Sequence, residues 1–467
     1  MTEVKDQSDA PRVSLSVVAG PSRGTRYQFE ERTTALVGRA EDCDPRIEEP
    51  GKRVVSRHHC LFDINPPDVR VRDFGSLNGT HVNGEKIGSR DPDETPEQGA
   101  ARVFPERDLV DGDRIKLGDT VLEVAITVPS PAPLADASTP QQCSMCAEPV
   151  TPDPHRTSDE AVCARCRADR DEAIAALLAR LVAGKVELPA IEGYELDEEI
   201  GRGGQGVVYK ARHRDSGELV AVKMMLAKVA VNERSRAMFE REIAGVQALE
   251  HPHVVAFRES GKAGPAWFFT SEYCAGGSAD DLVTKRGPLP PETAVPIVLQ
   301  ALDGLAHAHT VALPDGSVGL VHRDIKPSNI LLARNGTDVV AKLADFGLSK
   351  AFDKAGLSGM TMSGTIGGTV PFMARPQVVS FKYAKPEVDV WSMAATLYWM
   401  LTGRYARHFP EDQDPIRVIL DTSAIPIRKR NPKIPKRLAE VIDEALIDKP
   451  ITVTSAAELA AALRHAM

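Results

Sequence analysis

Residues 199–211 read "EIGRGGQGVVYKA". Gly201, Gly203 and Gly206, with Val208 behind them, keep the spacing Gly-x-Gly-x-x-Gly-x-Val. Glycines let a main chain approach phosphate oxygens closely, and dinucleotide-binding folds open on a similar string. In those folds a helix follows the last glycine. Here Val207, Val208 and Tyr209 follow, residue types that favour a strand. The string therefore predicts the turn of a β-hairpin that lays backbone N–H groups over a nucleotide's phosphates.

Further along, "VAVK" places Lys223 on a strand. The helical pattern of "FEREIAGVQALEHPHVV" offers Glu242 as an ion-pair partner for that lysine. "VHRDIKPSNILL" (321–332), "KLADFGLSK" (342–350) and "DVWSM" (389–393) follow in order. Any one of these is weak, because buried Lys–Glu pairs and stray Asp-Phe-Gly triplets are common. Together and in this order they closely resemble the protein-kinase signature across about residues 194–467, in its bacterial serine/threonine form.

The resemblance implies a two-lobed α+β fold and definite roles. Lys223, held by Glu242, would bind the α- and β-phosphates of ATP, under the loop of Gly201, Gly203, Gly206 and Val208. Asp324 would accept the substrate hydroxyl proton, while Asn329 and Asp345 would hold Mg²⁺ or Mn²⁺. Lys326 would neutralise the γ-phosphate and points to serine/threonine transfer. Backbone groups of Glu272 and Cys274 would take the adenine, with the small Ser271 behind it. His322 and Phe346 are read as packing residues, and Asp389 and Trp391 as supports beneath the catalytic loop.

One departure stands out. Kinases end the activation segment on Ala-Pro-Glu, whereas "MARPQV" has Ala374, Arg375 and Pro376. The arginine that pairs with that glutamate is expected near "DKPITVTSAAEL" (448–459), and none is there. Replacing both members of a buried ion pair can be nearly neutral, so the expectation is a lobe repacked without the pair and a live active site. Arg323 would receive a phosphate on the segment, with Ser358, Thr361, Ser363 and Thr365 as candidate acceptors. Thr369 is expected to face the substrate.

Before this region, residues 13–127 read as short alternating strands broken by Gly, Asn and Pro turns: "VSLSVV", "RYQFE", "CLFDI", "VRVRDF", "VLEVAITV". That pattern predicts an all-β sandwich. On its loops, "VGRA" (37–40), "SRHH" (56–59), "GSLNGT" (75–80) and "VNG" (82–84) resemble, in this order, the forkhead-associated domain. The resemblance implies that Arg39 and Ser56 hold the phosphate of a phosphothreonine, that Arg57 adds positive charge, and that Asn78 bonds the peptide backbone. A guanidinium fork and a hydroxyl suit phosphate oxygens. Gly38 and His59 are read as scaffold. Leu77 stands where many members carry a hydroxyl residue.

Four of the seven cysteines fall in "CSMCAEPVTPDPHRTSDEAVCARC". Cys143, Cys146, Cys163 and Cys166 form two Cys-x2-Cys knuckles, enough for a closed tetrahedral shell and so for a structural Zn²⁺ in a small zinc ribbon. Residues 1–12 read as a disordered tail, 128–142 as a Pro/Ala-rich linker, 143–166 as the ribbon, 167–190 as an amphipathic helix linker, and 194–467 as the kinase domain. In the helix, Ile174, Leu177, Leu178, Leu181 and Val182 share one face.

The formal net charge of −9 argues against a nucleic-acid binder and against an anionic membrane surface. No signal peptide is visible, and "AIAALLARLVAG", interrupted by Arg180, is too short to span a bilayer. The expected location is the cytoplasm. The expected partners are protein substrates on Ser/Thr and phosphothreonine proteins. If the kinase marks its own segment and the first module reads it, self-association becomes phosphorylation-dependent. A pseudokinase scaffold is the alternative.

Overall fold

The computed structural model describes residues 12–30, 33–47, 54–91, 93–94, 104–127, 141–142, 149–150, 191–203, 206–225, 245–263, 266–313, 316, 318–335, 338–346, 369–379, 385–410 and 413–467. The N-terminal module is a sandwich of two antiparallel sheets. One sheet runs β2-β1-β10-β9-β6-β7, from β1 (Arg12–Ala19), β2 (Arg26–Phe29), β6 (Thr80–Val82), β7 (Glu85–Gly88), β9 (Arg114–Leu117) and β10 (Thr120–Thr127). The other runs β3-β4-β5-β8, from β3 (Thr33–Val37), β4 (Cys60–Asn65), β5 (Asp68–Asp73) and β8 (Arg107–Leu109).

Alternation builds its core. In β1, Val13, Leu15 and Val17 point inward and meet β10 in the register Leu15↔Val124 and Val17↔Leu122. From the second sheet Val37, Cys60, Phe62, Ile64, Val69 and Val71 complete the layer. Leu36 and Leu61 are cross-strand partners on the opposite, outer face, yet only 0% and 2% of their surface is exposed. A strand side chain on a solvated face would not be buried, so something covers this face.

A two-residue ladder, β11 (Gln141–Gln142) with β12 (Pro149–Val150), brackets residues 143–148. The four window cysteines and the helix linker expected over 167–190 lie outside the described residues.

The small lobe is a five-stranded antiparallel sheet, β13-β14-β15-β17-β16, from β13 (Tyr194–Gly203), β14 (Gly206–His213), β15 (Leu219–Met225), β16 (Phe257–Ala263) and β17 (Ala266–Glu272). In the large lobe, α1 (Ala279–Arg286) and α2 (Pro291–Ala308) precede a β18 (Ile330–Asn335)–β19 (Asp338–Leu343) hairpin. Then come α3 (Arg375–Val379), α4 (Glu387–Thr402), α5 (Pro415–Asp421), α6 (Ile427–Arg430), α7 (Lys436–Ala445) and α8 (Ala456–Ala466). Helix α1 starts on a capping box, Ser278 with Asp281, which satisfies N–H groups the helix cannot pair itself. Helix α4 is apolar on nearly all sides and accordingly runs through the core, with Trp391, Tyr398 and Leu401 buried. Gly403, at φ +64°, ends it in the left-handed region.

The outer face of the β3-β4-β5-β8 sheet is covered by the large lobe. Leu36, Cys43, Leu61 and Phe74 form one buried apolar cluster with Met373, Val378, Ile416, Ile419 and Leu420.

Candidate active site

The glycine string does sit at a hairpin: Gly201 pairs with Val208 and Gly203 with Gly206. Lys223 comes from β15, beside Phe269 of β17, and its Nζ donates to Asp345 Oδ2 at 2.9 Å. Burial pushes the Asp345 carboxyl up. The charge and hydrogen bond of Lys223, with His322 and Lys326 adding, outweigh it and hold the group below its usual range. Glu242 lies outside the described residues.

The catalytic loop is tied from below by Asp389, fully buried in α4. Its Oδ2 accepts from the His322 N–H at 2.7 Å and from His309 Nε2 at 2.9 Å, and its Oδ1 from the Arg323 N–H at 2.7 Å. Trp391 Nε1 donates to the Leu446 carbonyl at 3.0 Å. His322 Nε2 donates to the Ala344 carbonyl at 2.8 Å, and its ring lies 4.5 Å from that of Phe346, which joins the catalytic loop to the following one. Arg323 and Asp345 hold φ of 66° and 62°, left-handed values unusual outside glycine that the hydrogen-bonded frame imposes.

Above this frame, Lys326 Nζ donates to Asp324 Oδ2 at 3.0 Å and to Thr369 Oγ1 at 2.7 Å. Asn329 Nδ2 donates to the Asp324 carbonyl at 2.7 Å and to its Oδ2 at 3.1 Å. Asp324 Oδ1 is buried with no hydrogen-bond partner among the described residues. Thus a carboxylate, a cation and a hydroxyl residue from 43 positions downstream converge.

At the lobe junction, Glu272 turns its carboxylate to Lys342 Nζ (2.8 Å) and the Ala256 N–H (3.3 Å). Cys274 is buried, and burial, with the Glu272 charge adding, pushes its thiol up to about 12. It is a packing thiol rather than a reactive one.

The end of the activation segment differs from the expectation of a lobe repacked without an ion pair. Arg407, 1% exposed, pairs with Asp448. Its Nε and Nη1 also reach the carbonyls of Thr422 (3.2 Å) and Met373 (3.3 Å), and the guanidinium lies 4.4 Å from the Trp391 ring centroid. Asp448 Oδ2 also accepts from the Arg375 N–H at 3.2 Å. A buried pair is therefore present, with the acid at the C-terminal position where an arginine is expected. Gln377 Nε2, on α3, donates to the Arg323 carbonyl at 2.5 Å. Ser358, Thr361, Ser363 and Thr365 lie outside the described residues.

In the sandwich, Arg39 Nε donates to the Val55 carbonyl at 3.1 Å, and the Arg39 and Ser56 main chains are joined by another bond of 3.1 Å. Ser56 Oγ accepts from the Leu77 N–H (3.1 Å). Asn78 Nδ2 donates to the Val54 carbonyl at 2.7 Å. Arg57 and Asn78 are exposed, while His59 is buried and links the Ser56 N–H to the Gly79 carbonyl through its two ring nitrogens. A Cβ on Gly38 would fall 2.1 Å from the Arg57 carbonyl oxygen, so only glycine fits between these loops. Asp73, missed in the sequence, braces "GSLNGT" by accepting from Ser76 and Thr80 at 2.6–3.1 Å.

Two ion pairs also missed in the sequence cross between the modules. Asp42 accepts from His58 Nε2 at 2.9 Å through one oxygen and from Arg375 Nη2 at 2.5 Å through the other. Cys43 lies beside them, but with both Asp42 oxygens engaged this trio is no cation site. Arg72, 3% exposed, pairs with Asp414, whose other oxygen caps α5 at the Ile416 N–H (2.8 Å). No local spacing points to partners 333 and 342 residues apart.

The protein kinase domain family matches residues 194–462, more than half of the sequence, and the chain belongs to that family. The FHA domain matches residues 35–98. Among curated proteins, a probable serine/threonine-protein kinase of Clostridium perfringens is 31% identical over 261 residues, 55% of this chain and 36% of its own. Serine/threonine-protein kinase PknL of Mycobacterium bovis is 37% identical over 210 residues, 45% of this chain and 49% of its own. The chain thus spans only a third to a half of these relatives. Among solved structures, Rad53 1–466 in complex with AMP-PNP covers 96% of this chain and 98% of its own at 20% identity and a TM-score of 0.46. The PknI kinase domain of Mycobacterium tuberculosis covers 60% of this chain and all of its own at 22% identity and a TM-score of 0.45.

Proposed function

We propose that this chain is an active serine/threonine protein kinase that moves the γ-phosphoryl group of ATP to protein Ser/Thr and reads phosphothreonine through its first module. The observation that carries this reading is the catalytic cluster. Lys326 and Asn329 hold Asp324 at 3.0–3.1 Å, while Lys223 holds Asp345 at 2.9 Å.

Asp324 Oδ1, buried and unbonded, is the oxygen to take the acceptor's proton, and Lys326 places positive charge beside it. Asn329 turns its amide nitrogen toward Asp324, which leaves its amide oxygen; Asp345 keeps Oδ1. These are hard oxygen donors of the kind Mg²⁺ or Mn²⁺ takes. When bound, the ion neutralises charge developing on the phosphates. Lys223 would bind the α- and β-phosphates, with Glu242 its partner, and backbone groups of Glu272 and Cys274 the adenine.

The scaffold alternative drew on Pro376 and the missing arginine. The Arg407–Asp448 pair removes that argument, because the segment's end is not left without an ionic anchor.

Arg39, Ser56, Arg57 and Asn78 would read phosphothreonine, on the segment's own Ser358, Thr361, Ser363 or Thr365 or on partners. Zn²⁺ on Cys143, Cys146, Cys163 and Cys166 would be structural, with one zinc per chain by metal analysis as its check. No described helix is long and apolar enough to cross a membrane, and we place the chain's work in the cytoplasm.

The test is incubation of the purified chain with Mg²⁺ and ATP beside an Asp324→Ala control, followed by phosphosite mapping. Phosphate on protein serine or threonine in the wild type alone is expected. ATP binding without transfer would leave the scaffold.

A further inference from the structure

We propose that the sandwich docks on this chain's own large lobe as a positioning element for the substrate-acceptor loop, residues 369–379. Asp42 and Arg72 would act beside the lobe's own Arg407–Asp448 pair.

Four observations converge. First, the covered face is apolar where a free sheet would be polar: Leu36, Leu61 and Phe74 pack on Met373 and Val378 near α3 and on Ile416, Ile419 and Leu420 of α5. Second, charges match on both sides of that patch, Asp42 with Arg375 and Arg72 with Asp414, all four at most a quarter exposed. Third, the clamp reaches the acceptor loop directly. Arg375 opens α3, and Gln377 on the same helix holds the carbonyl of Arg323, the residue before Asp324. The preceding turn is fixed by the Phe372 N–H to Thr369 carbonyl bond (3.0 Å), and Thr369 meets Lys326. Fourth, the other end of the clamp is the loop that bears Arg39. The Ala40 N–H and Cys43 Sγ both donate to the Arg57 carbonyl, at 3.0 and 3.2 Å, and His58 holds Asp42.

Docking leaves Arg57, Leu77 and Asn78 exposed, so a phosphothreonine peptide has access to the docked module. The occupant of the surface is thus within the chain, and its docked position touches both sites. The kinetic half of the proposal rests on the kinase reading above. The docking half does not.

The experiment uses the full chain and two readouts. Hydrogen exchange of residues 375–379 and 415–421 is compared in wild type, Asp42→Arg, Leu61→Asp, and the swap Asp42→Arg with Arg375→Asp. Exchange in β1 and β10 reports whether the sandwich stays folded. Both single variants should raise exchange at 375–379 and 415–421 by about tenfold or more, with β1 and β10 unchanged, and the swap should restore most of the protection. For a protein acceptor, KM should rise about fivefold or more in the single variants, with KM for ATP unchanged, and return in the swap. Unchanged exchange in both single variants, with the sandwich folded, overturns docking. Raised exchange with an unchanged or lower acceptor KM overturns the positioning role. A wild type that transfers no phosphate counts against the kinase reading, and exchange still decides docking.

Discussion

Two loops flank Asp324 and Lys326, and the protein fixes them by different means. The catalytic loop rests on one residue of its own lobe. Asp389 takes two backbone N–H groups and a histidine, and α4 supplies it from the centre of the core. The acceptor loop is fixed by side-chain charge. Arg407 and Asp448 grip it from within the lobe, and Asp42 grips it from another module. Backbone bonds to a buried carboxylate are short in reach and insensitive to what lies elsewhere in the chain. Ion pairs between modules can be broken without unfolding either partner. The catalytic loop is thus built into the lobe, and the loop of residues 369–379 leans on a second module as well.

That contrast can be broken experimentally at four points. Asp389→Ala orphans two buried N–H groups and His309, so the large lobe should lose roughly 5 kcal/mol, read in denaturant unfolding. A loss below about 1 kcal/mol would show that the loop is held by other means. Arg407→Ala should lose about 4 kcal/mol, because it leaves Asp448 buried and uncompensated. The apolar double variant Arg407→Met with Asp448→Leu should recover most of that, and failure to recover would mean the pair does more than fill space. Arg39→Ala should weaken a phosphothreonine peptide by roughly 2 kcal/mol in calorimetry, about thirtyfold in Kd, with little change in melting temperature. An unchanged Kd would remove Arg39 from the site. The smallest effect concerns pH. Hydrogen bonding from His58, against a smaller opposing burial effect and with Arg375 assisting, holds the Asp42 carboxyl well below the usual carboxylate range. A lowered folded value adds stability above the unfolded pKa that is lost as pH falls toward the folded one. Docking, followed by small-angle scattering, should therefore be flat from neutral pH downward and erode only below about pH 4. Loss already above about pH 5 would show that the Asp42 carboxylate does not hold the contact.

The catalytic cluster was legible because its chemistry demands fixed residue types at short spacing, as in "HRDIKPSN", and the glycine string declared its hairpin through Val207 and Tyr209. The sandwich was legible in its long strands. Strands β3 and β6 to β9 were harder to read, being three to five residues each and interrupted by turns. The contacts between modules were not legible as pairs, since Asp42 and Arg72 lie more than 300 residues from their partners. A trace was present nonetheless. Leu36 and Leu61 put apolar side chains on the outer face of strands whose inner face was already apolar, the pattern of a sheet covered on both sides. Arg375, followed by Pro376 where a glutamate is expected, was the matching trace on the other module.

The docking patch joins residues 36–74 to residues 370–420 of a single chain. As separate molecules, two such surfaces would have to bury about 800 Å² each to form a stable pair. Covalent connection changes the arithmetic, since tethered partners can meet at an effective concentration of about millimolar. A contact too weak to hold two separate molecules together can therefore be well populated within one chain.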